Sequence, residues 1–305
     1  MNLNGLIGKA YPLKSVQLLT LIAVSAFFTL ADASVSLEKT IKESGDELAS
    51  VSALLAGNDG RLLVLNNENG TLSDYKGKAA TRYSLLKKKI FESEDSYGLT
   101  RLDENSYLLS NSYDNVIAVI DGEGKLIQKF GESGSREGKL DNPQGIVWSK
   151  NGRLYVAEKG NNRISVFGLD GVFIRAFGRQ GLKEELRLEE PVQVYVDLKE
   201  RVYVLEKRNN GIVSIFDYNG VLLQRLTNKD FNKLASAETR IVDITIDEKG
   251  LLYAADKENG RVLQIDWMAR KLVFSFGSKG EQRGQFEDVS GMAVLPGNKI
   301  AVADS

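Results

Sequence analysis

A phrase of six residues returns six times along this chain at a nearly constant interval. It reads "GRLLVL" in the first copy, "GRLYVA" in the third and "NKIAVA" in the last. Successive copies start 45, 47, 48, 50 and 48 residues apart. Their first residues are Gly60, Asn105, Gly152, Glu200, Gly250 and Asn298. A fixed period of this size is typical of repeat architectures, in which each unit stacks on its neighbours, so we expect six similar units.

Each unit contains four short apolar runs separated by turn residues. In the third copy the runs are "GIVW", "RLYVA", "RISVF" and "VFIRAF", and the segments between them are rich in Gly, Asn and Asp. Short runs of this composition, punctuated in this way, indicate strands joined by hairpins rather than helices. Each unit is therefore predicted to be a four-stranded antiparallel sheet.

The runs are apolar almost without interruption, as in "LYVA" and "ISVF", instead of alternating with polar residues. This pattern indicates strands that are covered on both faces. Sheets arranged radially around an axis satisfy it, because each sheet lies between two neighbours. The predicted fold is an all-β propeller of six four-stranded blades over residues 51–305, with the last blade incomplete.

The third copy, residues 142–181, resembles an NHL repeat. It has the "PQGI" start of an inner strand, a "YVAE" strand, an "NNRI" hairpin and an outer strand that ends in "FG". The fifth and sixth copies follow the same pattern, whereas the first, second and fourth copies depart from it. The resemblance implies a six-bladed propeller. Because NHL propellers are mostly interaction or sensing domains, it also implies a binding role.

Two copies place an acid and an arginine on either side of the turn between the second and third strands. The pairs are Glu158 with Arg163, and Asp256 with Arg261. A guanidinium group can bind a carboxylate with two parallel hydrogen bonds, which would lock the hairpin. Since the pairing recurs between copies, a structural role is predicted for it rather than ligand binding. The fourth copy, "EKRNNGIVSIF", has no arginine at the equivalent point.

Residues 1–33 have the pattern of a secretory signal peptide. Lys9 and Lys14 precede an apolar run over 16–30, which small residues follow. Cleavage after Ala33 is predicted, with export to the periplasm or the extracellular space of a bacterium. The alternative is an uncleaved membrane anchor.

Residues 34–50 are predicted to add a closing strand to the sixth blade. The sixth copy stops at Ser305 after its second strand, and the third strand of that blade then has no evident donor. We therefore expect the natural chain to continue beyond Ser305.

The composition limits the chemistry that this chain can perform, because it contains no cysteine and no histidine. Disulfides, serine–histidine triads and imidazole-ligated metal sites are excluded on this ground. The resemblance to propellers implies one alternative enzyme, a lactonase-like hydrolase that holds an oxygen-ligated divalent ion near the axis, for which Asp243 is the clearest carboxylate on an inner strand. One acid does not make such a site, and we predict a non-catalytic protein with no cofactor and no metal.

The tips of the hairpins between second and third strands differ between copies, and all are expected on one face of the propeller. Variable loops on a rigid scaffold usually carry recognition, which favours a protein or peptide partner on this face. The candidate partner-binding residues are Tyr113, Asp114, Lys159, Arg179, Lys207, Arg208 and Glu258. Two long links, residues 178–191 and 227–239, are expected to rim the same face.

Single-stranded RNA is a third alternative, since basic and aromatic tips can hold bases and phosphates. The chain has a formal net charge of −1, which provides no overall attraction to a phosphate backbone. No nucleic acid is therefore expected as a partner, and a membrane is expected only if residues 1–33 are retained.

Overall fold

The structure is a computed structural model. It describes residues 15–22, 34–42, 51–57, 61–67, 70–76, 79–84, 90–91, 95–178, 187–295 and 299–304.

Five blades are built from consecutive strands of the chain. Each is a four-stranded antiparallel sheet whose first strand in the chain lies innermost. The blades comprise β3 (Val51–Ala56), β4 (Leu62–Asn66), β5 (Thr71–Lys76) and β6 (Ala79–Ser84); β7 (Ser96–Asp103), β8 (Ser106–Asn111), β9 (Val116–Asp121) and β10 (Leu126–Phe130); β11 (Pro143–Trp148), β12 (Leu154–Glu158), β13 (Arg163–Phe167) and β14 (Phe173–Phe177); β15 (Pro191–Val196), β16 (Val202–Glu206), β17 (Ile212–Phe216) and β18 (Leu222–Leu226); and β19 (Ile241–Ile246), β20 (Leu252–Asp256), β21 (Arg261–Asp266) and β22 (Lys271–Phe276).

A further four-stranded sheet joins the two ends of the chain. The last repeat contributes only β23 (Val289–Leu295) and β24 (Lys299–Asp304), and the strands β1 (Ser15–Ile22) and β2 (Ser34–Lys42) complete the sheet. The strand β1 pairs antiparallel with β24, from Ser15 opposite Asp304 to Thr20 opposite Lys299. The expectation that the third strand of this sheet has no donor is therefore wrong.

The donor comes from the run over 16–30 that was interpreted as a signal peptide, since β1 occupies its first part. A short apolar run fits a signal core and a buried strand equally well, so periodicity could not separate the two uses. The strand β2 lies within the segment 34–50 that was expected to close the blade, but it pairs with β1 rather than with the last repeat. No described helix is long and apolar enough to cross a membrane.

The inner strands surround a central axis. The strand β3 packs against β7, β7 against β11, β11 against β15, β15 against β19, β19 against β23, and β23 again against β3. Apolar cores fill the spaces between neighbouring blades, as where Tyr155 and Val166 of one blade meet Val194 and Val204 of the next. The second strands β12, β16 and β20 are buried at every residue, so these strands are covered on both faces as expected, whereas the outermost strands β14, β18 and β22 are partly exposed. The prediction of an all-β propeller is confirmed, but its count of six blades is not, since five blades are built from consecutive strands and the last repeat supplies only two strands.

The one described α-helix, α1 (Asn228–Ala235), lies in the long link between the fourth and fifth blades. Its carboxylate Asp230 accepts hydrogen bonds from the backbone N–H and the hydroxyl of Thr227, which holds the first turn. Phe231 is fully buried in the core between these two blades. The link that was expected to rim the loop face is thus anchored by its helix in the apolar core.

Candidate functional site

Every inner strand of the propeller carries a β-bulge close to its first residue. In β3 the register jumps between Val51 and Ala53, and in β15 between Pro191 and Gln193, so that the inner strand has one residue more than its partner. The same shift occurs near the start of β7, β11, β19 and β23. A bulge bends the strand and redirects a side chain, and bulges are common beside binding sites.

The second residue of each inner strand lines a cavity at the centre of the loop face. The cavity has a volume of about 390 Å³. The six residues, which we call the mouth ring, are Ser52, Tyr97, Gln144, Val192, Val242 and Ser290. Each of the five blades contributes one of them and the composite sheet contributes Ser290, so the cavity lies where the six sheets converge.

Basic and neutral polar side chains complete the wall of this cavity. Its three charged lining residues, Lys207, Arg240 and Lys257, are all cations, and no described carboxylate lines it. Gln193, Asn67 and Asn210 add side chains that can donate or accept hydrogen bonds. The centre of the loop face is therefore a positively charged polar bowl.

A second cavity of about 300 Å³ adjoins the first and shares Tyr97, Gln144, Val192 and Lys207 with it. Tyr113 and Lys159 line this second cavity, and Asp95 is its acidic residue. Three of the predicted partner-binding residues, Tyr113, Lys159 and Lys207, are thus brought together at one place. The side chain of Tyr113 is 74% exposed, which is unusual for so large an aromatic ring.

The remaining predicted partner-binding residues do not line either cavity. Arg208 forms an ion pair with Glu189 on the outside of the face, and Glu258 is exposed at the tip of its hairpin. Asp114 belongs to a turn in which the Asn111 side chain accepts its backbone N–H. Arg179 lies outside the described residues.

The cations of the bowl differ in how they are neutralised. Lys257 Nζ lies 2.6 Å from a carboxylate oxygen of Asp288, and Lys159 Nζ lies 3.6 Å from one of Glu190. Among the described residues, no carboxylate pairs with Lys207 or Arg240. Both of these residues are exposed at the cavity and are available to a ligand.

The acid–arginine pairs lie at the ends of the hairpins beside the bowl; both acids and Arg163 are buried, and Arg261 is partly exposed. Arg163 Nε donates to Glu158 Oε1 over 2.7 Å, and the Glu158 side chain is completely buried. The same guanidinium donates to the backbone carbonyls of Ser135, Arg136 and Lys139. Arg261 Nε donates to Asp256 Oδ2 over 2.9 Å in the fifth blade. These four side chains are used within the scaffold and do not line the cavities.

The acid that ends the second strand has a further recurring contact. Glu158 accepts the backbone N–H of Asp141, Glu206 that of Glu189, Asp256 that of Arg240 and Asp304 that of Asp288. Each of these N–H groups lies one to two residues before an inner strand. The acid therefore fixes the link that leads into the mouth ring of its own blade.

The fourth blade supplies its missing arginine from a different strand. Arg225, on β18, reaches Glu206 Oε1 at 3.2 Å and donates to Ser214 Oγ at 2.8 Å. Burial raises the pKa of the Glu206 carboxyl, and the nearby Arg225 charge and the Ser214 hydroxyl oppose that effect. Sequence comparison of hairpins could not find this pairing, because the cation lies outside the hairpin.

Asp243 lies below the bowl, on the third position of β19. Its Oδ2 accepts the backbone N–H of Met292 on the neighbouring inner strand over 2.6 Å. Burial raises the pKa of this carboxyl to about 7, against the opposing effect of hydrogen bonds from Met292 and Ile244. Within the described part of the chain, no group of three or more acidic residues could hold a metal ion there.

Comparison with known proteins gives a partial family match. Residues 140–167 match the model of the NHL repeat family. The chain is 30% identical over 124 residues to protein brain tumor of Drosophila melanogaster, covering 40% of this chain and 11% of that protein. It is 32% identical over 137 residues to the E3 ubiquitin-protein ligase TRIM71 of Rattus norvegicus, covering 43% of this chain and 14% of that protein. The matches thus span a small part of these curated relatives.

Solved structures share the fold over most of the chain. A virginiamycin B lyase from Staphylococcus aureus superposes with a TM-score of 0.59 at 13% identity, covering 85% of this chain and 96% of that one. A chain of the nidogen/laminin complex superposes with a TM-score of 0.59 at 16% identity, covering 87% and 93%. At such low identity these likenesses establish the propeller fold alone.

Proposed function

We propose that this protein is a non-catalytic binding scaffold that holds a protein or peptide segment in the bowl at the centre of its loop face. The observation that carries the proposal is the convergence of six inner-strand residues on one cavity, beside which three of the variable loop-tip residues also lie. Binding sites are usually concave and carry a few polar groups that fix the orientation of the ligand.

The division of labour among the polar residues supports the same function. The recurring acids are buried and accept backbone N–H groups of their own sheets, and their arginine partners bind them there. The residues that differ between blades are exposed or line the cavities. Recognition by the variable residues would then leave the packing of the blades unchanged.

Two of the similar proteins bear on the choice between binding and catalysis. The nidogen/laminin structure is an assembly of two proteins, which favours binding. The staphylococcal lyase is an enzyme, and a variant of it in which a histidine is replaced by alanine is described as catalytically inactive. The present chain has no histidine, so it cannot supply that residue.

We also propose that the composite sheet of β23, β24, β1 and β2 acts as a sixth blade that closes the ring. In support of this, the apolar residues of β24 are buried between the fifth blade on one side and the first on the other. Export of the protein remains a proposal that competes with this one for the same residues, because cleavage after Ala33 would remove β1.

The binding proposal is tested by selecting peptides from a random display library against the purified protein. The Kd of a selected peptide is then measured by fluorescence anisotropy. We expect the double variant Tyr113→Ala, Lys159→Ala to weaken binding by about tenfold or more. The matched control is Tyr218→Ala, Lys150→Ala, which removes an exposed tyrosine and lysine from the opposite face. If no peptide is selected, or if both variants bind as the parent does, the loop face is not the binding site.

A further inference from the structure

We propose that the bowl recognises the carboxylate groups of an acidic peptide segment, with Lys207 and Arg240 as the two charged anchors. This inference rests on the proposed function and specifies the chemistry of its partner. It follows from the charges at the cavity, from the way those two residues are held, and from the acids that surround them.

The charge of the cavity is one-sided. All of its charged lining residues are cations, in a chain whose net charge is −1. Lys257 is already paired with Asp288, so Lys207 and Arg240 carry the uncompensated charge. A concave site lined by one sign of charge concentrates the field and attracts ions of the opposite sign.

The two anchors have fixed backbones and free side chains. The N–H of Lys207 donates to the carbonyl of Glu190 over 3.1 Å. The N–H of Arg240 donates to Asp256 over 3.1 Å, and its carbonyl accepts the N–H of Lys257 over 2.9 Å. Little backbone ordering would therefore be required when a ligand binds, which favours affinity.

The chemistry of the wall suits carboxylates. The guanidinium of Arg240 can bind a carboxylate with two hydrogen bonds, and the ammonium of Lys207 acts as a point charge. The hydroxyl of Ser290 and the amide of Gln193 are further donors around the same space, whereas the Ser52 hydroxyl already donates to the carbonyl of Leu65 over 3.3 Å. Val192 and Val242 of the mouth ring provide apolar contact for the methylene groups of glutamate side chains.

The surroundings of the bowl favour a peptide over a nucleic acid. Acidic side chains lie next to the cations at the rim, including Asp95, Glu190 and Asp288. A long polyanion laid across the face would meet these acids at several points, whereas one or two side chains that enter the bowl would avoid them. Only two aromatic residues, Tyr97 and Tyr113, line the described cavities, which offers few stacking platforms for bases.

The test uses a fluorescein-labelled hexaglutamate peptide, a hexaglutamine peptide of equal length and an oligouridylate RNA. Their Kd values are measured by anisotropy at low and near-physiological salt. We expect hexaglutamate to bind at least about tenfold more tightly than hexaglutamine, and its affinity to fall as salt screens the charges. The double variant Lys207→Gln, Arg240→Gln should lose about tenfold or more in hexaglutamate affinity.

The matched control is Lys150→Gln, Lys199→Gln, which removes two exposed cations from the turns on the opposite face. It has the same net charge as the anchor variant and should bind hexaglutamate as the parent does. Equal losses in both variants would show that only net charge matters and would overturn the proposal. Tighter binding of the RNA, lost in the anchor variant alone, would overturn it in favour of a nucleic-acid partner.

Failure of this inference is distinguishable from failure of the proposed function. If display selects peptides that need Tyr113 and Lys159 but have no acidic bias, and hexaglutamate does not bind, then the scaffold role stands and the carboxylate preference is wrong. If neither selected peptides nor hexaglutamate bind, both are wrong.

Discussion

At the scale of single residues, this protein separates charges that hold the scaffold from charges that face solvent at its centre. Glu158, Glu206 and Asp256 are buried with arginine partners and accept backbone N–H groups. A buried charge is costly unless it is paired and hydrogen-bonded, and these three acids meet that requirement. Asp243 differs, because its described contacts are backbone N–H groups and no described cation pairs with it.

Asp243 should make the stability of the fold depend on pH. Its folded-state pKa, about 7, is raised from an ordinary value of 3.8. The unfolded chain therefore loses this proton first, and the contribution of the protonated side chain to stability is present below about pH 4 and is lost as the pH rises to about 7. The variant Asp243→Asn keeps an acceptor for Met292 without the charge. We expect it to raise the melting temperature near pH 8 and to change it little near pH 4.

Thermal unfolding of parent and variant between about pH 4 and pH 8, followed by circular dichroism, checks this expectation. Parallel curves with a constant offset would show that the carboxyl does not titrate in this range in the folded protein. The variant Asp266→Asn, at a surface turn, is the control, and its curve should follow that of the parent.

At the scale of elements, the helix α1 and the bulged inner strands have different roles. The helix lies in the link to the fifth blade and buries Phe231 between two blades. Its link leads directly to Arg240 at the bowl, but no residue of the helix lines either cavity. The bulges, by contrast, supply the mouth ring itself. The helix is thus expected to affect stability and the bulges to affect recognition.

The variant Phe231→Ala should lower the free energy of unfolding by about 3 kcal/mol, because it leaves a cavity in a well-packed core. Urea denaturation at fixed temperature measures the change. The Kd of a peptide that binds the parent should stay within about twofold at a temperature at which both proteins are folded. A large loss of affinity without loss of stability would show that the helix takes part in recognition.

At the scale of the whole molecule, the two ends of the chain meet in one sheet. The strand β24 has β23 on one side and β1 on the other, so the start of the chain covers an edge that the last repeat leaves open. An unpaired strand edge readily pairs with other chains, which makes such a strand a site of aggregation.

A chain that lacks residues 1–33 should therefore be less stable than one that lacks residues 1–14 only, since the shorter deletion keeps β1. We expect a lower melting temperature for the larger deletion, and concentration-dependent association in gel filtration because the edge of β24 is exposed. Equal melting temperatures and two monomeric proteins would show that β1 is dispensable. That result would favour the use of these residues as a cleaved signal.

Much of this architecture could be predicted from the repeat, and the misses have physical causes. The period placed the strands and hairpins, because the second strand of each repeat is buried on both faces, although the outermost strands are partly exposed, as at Ile127 and Ile174. It also placed Tyr113, Lys159 and Lys207 on one face. The strand β1 was missed because an apolar run that follows lysines fits both the core of a signal peptide and a buried strand. Arg225 was missed because it reaches its acid from another strand, a contact that no local pattern encodes.

The mouth ring was missed although the sequence contains a signal for it. Its residues recur with the same steps as the repeat itself, one position after the start of each inner strand. The side chains at this position are Ser, Tyr, Gln, Val, Val and Ser. Such variety at one position of an otherwise regular repeat indicates side chains that do not pack in the core between blades. The bulges that turn these side chains toward the axis appear only in the pairing of the strands.

The bulge near the start of each inner strand has a consequence for how such a protein could be diversified. Because every sheet presents one side chain to the same cavity, the six positions of the mouth ring can be substituted in many combinations. Substitutions at these positions could change the preferred ligand from an anionic to a cationic or apolar one, while the packed sheets beneath tolerate each change.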